Sequence, residues 1–530
     1  MLFTSYEFLL FLLILLLVYY LIPKKGQWIL LLAASYLFYL FSGPDNLIYI
    51  LFTTISTYFL VAQIQKNRDA EESWLREHKA EMDRAQRKAY KEKNKQIRWR
   101  WLLLCIILNI GMLALVKYTT FAISNVNGIL DFFGSGARLS FLDIALPMGI
   151  SFYVFKTLGY AIDVYRGKYR QEDNIFKLAL FVSFFPQLIQ GPISRFDYLS
   201  RTLFEEHRFD KKQVAFGLQR VLWGYFKKLV IADRILIAVN TIIGNTDTYR
   251  GVWVFAGMLF YAVELYADFT GGIDITIGIS QALGVIVEEN FIRPYFSKDI
   301  KEYWNRWHIT MGKWFTDYIF YPISVCQPML KLSKKARRTF GEKFGRRVTV
   351  YISCLVVWFA TGIWHGASWN FIVWGLGNGI VILISQELEP FYRWFHGKVP
   401  VKGTTGWKIF QILRTNLLMC ALRTFDCYRD VPLTFRMLGT MFTDLNINEL
   451  FSGGMLQLGL TAVDFEILIF GVLVMFSVSM IQRSGSVREK ITAKPYVWKA
   501  ALWFGMFVMV LLWGTYGIGY DASQFIYNQF

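Results

Sequence analysis

The stretch "WFATGIWHGASWNFIVWG" (358–375) sets His365 between two apolar runs, each long enough to reach well into a bilayer. Trp364 and Trp369 hem it, and Gly366 and Ala367 leave room beside the ring. Burial disfavours the imidazolium, so a ring held there is expected to stay neutral and able to accept a proton, as a general base must. A histidine that only hydrogen-bonds a neighbouring helix would look the same. His308 stands in "YWNRWHITMGKWFTDY" among Trp304, Asn305, Arg306 and Trp307. That cluster reads either as an interfacial aromatic belt with a snorkelling arginine or as a second catalytic group. His78 and His207 lie in charged stretches and His396 in the "FYRWFHGK" loop, and all three are expected in solvent.

The elements that must hold these rings are membrane helices. Of 530 residues, 55% are hydrophobic and 18% aromatic, too oily for an ordinary soluble protein. Runs approaching or reaching the roughly 20 apolar residues that cross a hydrocarbon core are Leu9–Ile22, Trp28–Phe41, Leu47–Ile64, Trp101–Val116, Val348–Trp364, Phe465–Ile481 and Ala500–Gly517. They leave no soluble domain of useful size. The expectation is an all-α polytopic membrane protein, one domain over 1–530, retaining its first segment, which lacks a basic leader and a cleavage site.

The formal net charge of +18 does not point to nucleic acid, because the Lys and Arg residues lie mostly between apolar runs. That is the positive-inside pattern. "PKKG", the 65–100 stretch, "KLSKKARRTFGEKFGRR" and "RSGSVREK" are expected on the cytosolic side, "SGPDN" and "GNTDTYRG" outside, with Met1 and Phe530 both outside. The 65–100 segment, with acids and bases at helical spacing, reads as a cytosolic helix or helical hairpin, a spacer or a docking surface for a donor protein. The five cysteines show no metal-ligand or redox spacing, so no metal site is expected.

Three apolar segments are interrupted by Pro, Gly, Asp or Arg: "LPMGISFYVFKTLGYAIDVYRGKY" (146–169), "FVSFFPQLIQGPISR" (181–195) and "YADFTGGIDITIGISQALG" (266–284). Broken backbone at membrane depth is tolerated only where protein or a water-filled cavity satisfies its polar groups, so these breaks imply an enclosed cavity. A transporter would carry the same sign.

"WHGASWNFIVWG" resembles the signature of the membrane-bound O-acyltransferases, with His365 at the position of the family's key histidine. "LPMGISFYVFKTLGYAIDVYRGK" looks like the family's central segment, "FFPQLIQGPISR" like its next, "YADFTGGIDITIGI" like its Asp-Phe-Ser-Gly-Tyr-Ser-Asp stretch and "YWNRWHITMGKWFTDYIFYPI" like its Trp-His segment. In order, these cover roughly residues 100 to 380. The closest resemblance is to the bacterial cell-envelope branch containing the alginate O-acetyltransferase and teichoic-acid D-alanylation membrane subunits. Departures are Thr270-Gly271-Gly272-Ile273 where Ser-Gly-Tyr-Ser is usual, residues 323–340 in place of a short Gly-rich turn, and the charged 65–100 extension. They bear on the acceptor more than on the reaction.

The resemblance implies a bundle of about 11 or more membrane helices around a central tunnel, in a bacterial cytoplasmic membrane. It implies transfer of a small acyl group, acetyl being the expected one, from a cytosolic thioester to a hydroxyl of an extracytoplasmic polysaccharide or envelope polymer. The donor would be acetyl-CoA or an acyl carrier protein, with no resident cofactor. His365 would take the hydroxyl proton, His308 and Asn305 would position the carbonyl or the donor, Trp304 and Trp364 would line the tunnel, and Arg195, Asp268 and Asp274 would brace it. A solute transporter, a scaffold that only recruits an extracytoplasmic enzyme, and a lipid O-acyltransferase remain alternatives. The ending "YDASQFIYNQF" places Phe525, Tyr527 and Phe530 in a Phe-x-Tyr-x-x-Phe pattern. It reads as an aromatic anchor at the headgroups, and also resembles the terminal motif of envelope acyltransferase systems. By that resemblance Tyr527 would carry the acyl group to an extracytoplasmic partner enzyme, with Phe525 and Phe530 docking the tail.

Overall fold

The computed structural model describes residues 2–78, 80–142, 144–517 and 520. The described residues fall into two compact units, one within residues 1–214 and 280–287 and the other within residues 215–279 and 288–530. The structure is helical, and its extended pairing, among the described residues, is an isolated antiparallel bridge between Phe291 and Trp307.

The first unit contains α1 (Tyr6–Leu21), α2 (Gln27–Leu40), α3 (Leu47–Glu77), α4 (Arg84–Phe132), α5 (Ile150–Arg166), α6 (Ile175–Ser183) and α7 (Phe196–Leu203). The charged 65–100 region is the polar end of the α3–α4 hairpin, each helix running unbroken out of its apolar part. Its charges pair where they are buried: Arg98 bonds Glu71 and, at 3.0 Å, Asn67 Oδ1. Asp83 starts α4 with a capping box, its side chain accepting from Gln86 N while Gln86 bonds back. Residues 184–194 are not α-helical beyond one short 3₁₀ turn, yet are wholly buried. Gln187 ties them down, accepting from Lys156 Nζ at 3.1 Å and donating to Ser194 Oγ at 2.6 Å. Gly149 precedes α5 with φ +70°, and a Cβ there would lie 2.2 Å from the Leu188 carbonyl oxygen. Of the interrupted segments in this unit, 181–195 is broken backbone packed inside protein, whereas 146–169 is irregular only ahead of Ile150 and beyond Arg166, α5 running unbroken between them.

The second unit holds α8 (Lys211–Tyr225, from Ala215 on), a π-helical turn at Phe226–Ala232, α9 (Asp233–Gly244), α10 (Val252–Ala282, to Ile279), α11 (Ile300–Arg306), α12 (Ile309–Phe315), α13 (Tyr321–Ser324), α14 (Gln327–Phe340), α15 (Glu342–His365), α16 (Trp369–Glu387), α17 (Glu389–Lys398), α18 (Thr405–Tyr428), α19 (Val431–Thr443), α20 (Ala462–Gln482), α21 (Val487–Thr492) and α22 (Tyr496–Trp513). The third interrupted segment is not broken: α10 runs straight through it. Its glycines serve close approach. A Cβ on Gly271 would meet Gly224 O at 3.0 Å, and one on Gly278 would meet Gly217 O at 2.6 Å. Glycines seven residues apart on both helices therefore let α8 and α10 touch backbone to backbone, the way membrane helices gain packing where solvent offers no driving force.

Seven of the described helices are long and apolar enough to cross a membrane: α3, α4, α10, α15, α16, α20 and α22. Leu13 and Leu17 of α1, Ile469 and Leu473 of α20, and Phe504 and Leu512 of α22 are exposed, a surface that water would penalise and lipid accepts. The protein is an all-α, multi-pass membrane protein.

Candidate active site

α15 ends at His365 because Gly366 turns extended (φ −167°, ψ 151°), its N–H closing the last turn on Gly362 O at 3.2 Å. α16 starts four residues later, at Trp369, and runs back against it. A Cβ on Gly362 would fall 2.4 Å from Phe371 O, and one on Gly375 2.4 Å from Trp358 O, so the two helices cross with no side chain between them. That crossing sets Trp374 edge-on to His365, ring centroids 4.8 Å apart, with Trp364 on another flank at 5.1 Å. His365 is 6% exposed. A Cβ on Gly366 would lie 2.2 Å from the Phe371 ring, so the missing side chain lets that ring close in on the end of α15. Trp369, expected to hem the histidine, is 57% exposed, and Trp374 adds an indole packed on the ring at 4.8 Å.

His308 is fully buried at the start of α12 with φ 48° and ψ 53°, a left-handed conformation that costs a non-glycine residue about 1–2 kcal/mol. Short antiparallel pairing holds it there. Ile292 N donates to Arg306 O and Ile309 N donates to Asn290 O, both at 3.0 Å. Asn290, 0% exposed, then fixes the ring: its Oδ1 accepts from Thr310 N at 3.1 Å and Thr310 Oγ1 at 2.9 Å and lies 3.3 Å from His308 Nδ1. A backbone N–H can only donate, so the atom facing it is the oxygen, and Nδ1 must carry the imidazole proton. The lone pair is on Nε2. His308 lies outside the seven spans, and burial, followed by the charge of Arg423, holds its imidazole down to about 3, so the ring is neutral. Its centroid is 5.0 Å from Phe269 and 5.9 Å from Trp364, both edge-on. One indole, Trp364, therefore contacts both histidines.

Trp304 donates Nε1–H to Asn378 Oδ1 at 3.2 Å and packs on Trp358 at 4.7 Å. Trp304, Trp307 and Trp374 surround Arg423, whose guanidinium is 4.6 Å from the Trp374 ring and bonds Asp426 at 2.7 Å. The cage joins the His365 wall to the His308 segment through one buried ion pair. Asn370 adds a tie from α16 to α18, donating to Phe425 O at 3.0 Å.

The carboxylates singled out in sequence are paired in buried walls. Asp268 bonds Lys228 at 2.6 Å, and Lys228 also meets Asp233 at 2.7 Å. Asp274 bonds Lys227 at 2.6 Å and Arg220 at 2.7 Å. Asn305 is exposed on α11 and is not packed with the histidines; the carboxamide beside His308 is Asn290. Arg195 belongs to the other unit, where it precedes α7 at the N-cap position. Phe525, Tyr527 and Phe530 lie outside the described residues. The end of α22 and the described chain beyond it are stitched to the π-helical turn and α9: Arg234 donates to Trp513 O, Thr515 N donates to Leu229 O at 2.9 Å, and Tyr520 donates its hydroxyl to Asp233 at 2.8 Å. Asn290, Trp374, Arg423 and Asp426 were not found from sequence. An Arg and an Asp three residues apart in the otherwise apolar "LLMCALRTFDCY" were a legible sign, since buried ionisable groups in such runs are paired and functional by default.

The sequence model of the membrane-bound O-acyltransferase family matches residues 168–423, which include the ring cluster and Arg423. The chain is 32% identical over 423 residues to the probable alginate O-acetylase of Azotobacter vinelandii, covering 78% of this chain and 75% of that protein. It is 29% identical over 326 residues to the peptidoglycan O-acetyltransferase of Helicobacter pylori, covering 57% and 58%. With the teichoic acid D-alanyltransferase of Bacillus subtilis it shares 26% identity over 258 residues, covering 47% and 61%. The polytopic helices agree with these relationships, and the chain belongs to the membrane-bound O-acyltransferase family: it is an O-acyltransferase.

Proposed function

We propose that the protein moves a small acyl group, acetyl, from a cytosolic thioester through the bilayer for O-acylation of an extracytoplasmic polysaccharide or other envelope polymer, in a bacterial cytoplasmic membrane. The observation that carries this reading is the pair of buried histidines sharing Trp364, one on a membrane helix end and one in a strained loop. The relatives named for alginate, peptidoglycan and teichoic acid support an envelope acceptor, and two of the three are named for acetyl transfer.

The acceptor oxygen attacks the thioester carbonyl carbon while His365 takes the hydroxyl proton. The carbonyl electron pair moves to oxygen and returns as the C–S bond breaks, and the departing thiolate takes the proton back from the imidazolium. Thioester and alcohol become ester and thiol, with His365 restored. His308 and Trp364 orient the acyl group, and the dry surroundings strengthen each hydrogen bond to the developing charge. The donor is acetyl-CoA or an acylated carrier protein. Tyr527 is the first acceptor: a phenol of pKa near 10 leaves more readily than an alkoxide, so its ester retains much of the thioester's transfer potential. An extracytoplasmic enzyme with a serine nucleophile would complete delivery, and Phe525 and Phe530 would seat the tail.

The test is label from a radioactive acetyl thioester in membrane vesicles. Label in hydroxyl-linked polymer ester, lost in His365→Ala with protein level unchanged, is the expected result. Label in lipid makes the protein a lipid acyltransferase, and solute uptake without donor turnover makes it a transporter.

A further inference from the structure

Asn290 has one half of its carboxamide fully engaged and the other half idle. Its Oδ1 meets two donors on Thr310 and the Nδ1–H of His308, which fixes which way the group faces. Nδ2, with two N–H bonds, is buried and has no hydrogen-bond partner, in a side chain that is 0% exposed. A buried N–H donor without an acceptor is costly, and such a group in a folded protein calls for a partner: a water, an ion or a ligand. A flip would relieve nothing, because it would set the NH₂ group against the Thr310 N–H. The idle donors therefore stay beside His308, one indole away from His365.

We propose that Asn290 Nδ2 donates a hydrogen bond to the thioester carbonyl oxygen and to the oxyanion that forms on it, making Asn290 a catalytic residue of the acyl transfer. This rests on the acyl-transfer reading above. As the acceptor oxygen adds to the carbonyl carbon, the C=O pair becomes a third lone pair on oxygen. A fixed, dehydrated amide donor stabilises that charge more than it stabilises the neutral carbonyl, with no reorganisation at the moment of reaction. The short antiparallel pairing at 290–292 and 306–309 then has a purpose beyond holding His308, since it places the donor and the histidine as one unit.

Asn290→Asp keeps an oxygen for Thr310 and His308 and removes both N–H bonds. In reconstituted vesicles supplied with acetyl thioester, the substitution is expected to lower kcat about 100- to 1000-fold with the KM for the thioester changed less than about threefold. A kcat within about threefold of the wild type overturns the proposal. Where the variant fails to accumulate, the decision falls to a structure of the wild type with acetyl-carba(dethia)-coenzyme A, whose carbonyl cannot be cleaved. A carbonyl oxygen within about 3.2 Å of Asn290 Nδ2 supports the assignment, and one bonded elsewhere refutes it. His365→Ala separates the two levels. If that variant retains full transfer, the acyl-transfer reading at this site has failed; if it is inactive while Asn290→Asp is not, only the role of Asn290 has.

Discussion

Gly375→Ala tests whether the helix crossing, rather than the histidine alone, makes the site. The added Cβ would lie 2.4 Å from Trp358 O and 3.0 Å from Gly362 Cα, and the first of these is about 1 Å inside the 3.4 Å at which ordinary contact begins. Both neighbours are backbone, so the strain is relieved only by moving α16 from α15. Trp374 is the residue immediately before Gly375, and its 4.8 Å contact with His365 and its place over Arg423 move with the helix. Overpacking of this kind costs about 1–3 kcal/mol, and a displacement near 1 Å at a reacting group costs on the order of 100-fold in rate. Gly377→Ala is the matched control: its Cβ meets Leu422 Cδ2 at 3.2 Å, the flexible end of a side chain. Acyl transfer from labelled thioester in vesicles, normalised to protein amount, is expected to fall about 10- to 100-fold in Gly375→Ala and to stay within about twofold in Gly377→Ala. Equal rates in the two variants would refute the idea that the backbone crossing positions the site.

Arg423→Met strands the buried Asp426 without its cation and is expected to destabilise the fold by about 3–5 kcal/mol, with Arg423→Met/Asp426→Leu recovering part of the loss; denaturant titration in detergent decides, and a single variant as stable as the double contradicts it. His308, held at about 3 by burial and Arg423, stays neutral above that pH, so acidification from about pH 8 to 5 does not titrate it. His308→Gln should therefore lower the rate without moving the acid limb of the pH–rate profile, and a displaced limb would assign that ionisation to His308. Tyr527→Phe keeps the aromatic ring and removes the hydroxyl. If the tail carries the acyl group, polymer ester should vanish and the C-terminal peptide should lose its acyl mass by mass spectrometry; full polymer acylation would leave only the anchor role.

Much of the scaffold was legible because lipid imposes a simple rule, that long apolar runs become helices. The runs read as crossings are the bodies of α1, α2, α3, α4, α15, α20 and α22. Reading polar and glycine interruptions as breaks misled at 266–284, where α10 is continuous to Ala282. Asp268, Gly271, Gly272 and Asp274 suggested a break, yet Gly271 admits the α8 backbone and the carboxylates meet Lys228 and Lys227, so the helix accommodates them without unwinding. Both histidines were visible as types out of place. Their partners were not, because Asn290 lies 18 residues before His308 and Arg423 lies 58 after His365, and contacts at such separation leave no local pattern. Asn305 drew notice by adjacency alone; on α11 it is exposed while the neighbouring Trp304 is packed inward.

The most direct measurement uses purified wild-type and His365→Ala protein in liposomes, with labelled acetyl thioester on one side and a polyol acceptor available. Hydroxylamine-labile label should form in the wild type and fall by at least about 100-fold in the variant, with unaltered folding by circular dichroism. Equal ester formation by the two proteins would contradict the central assignment of His365.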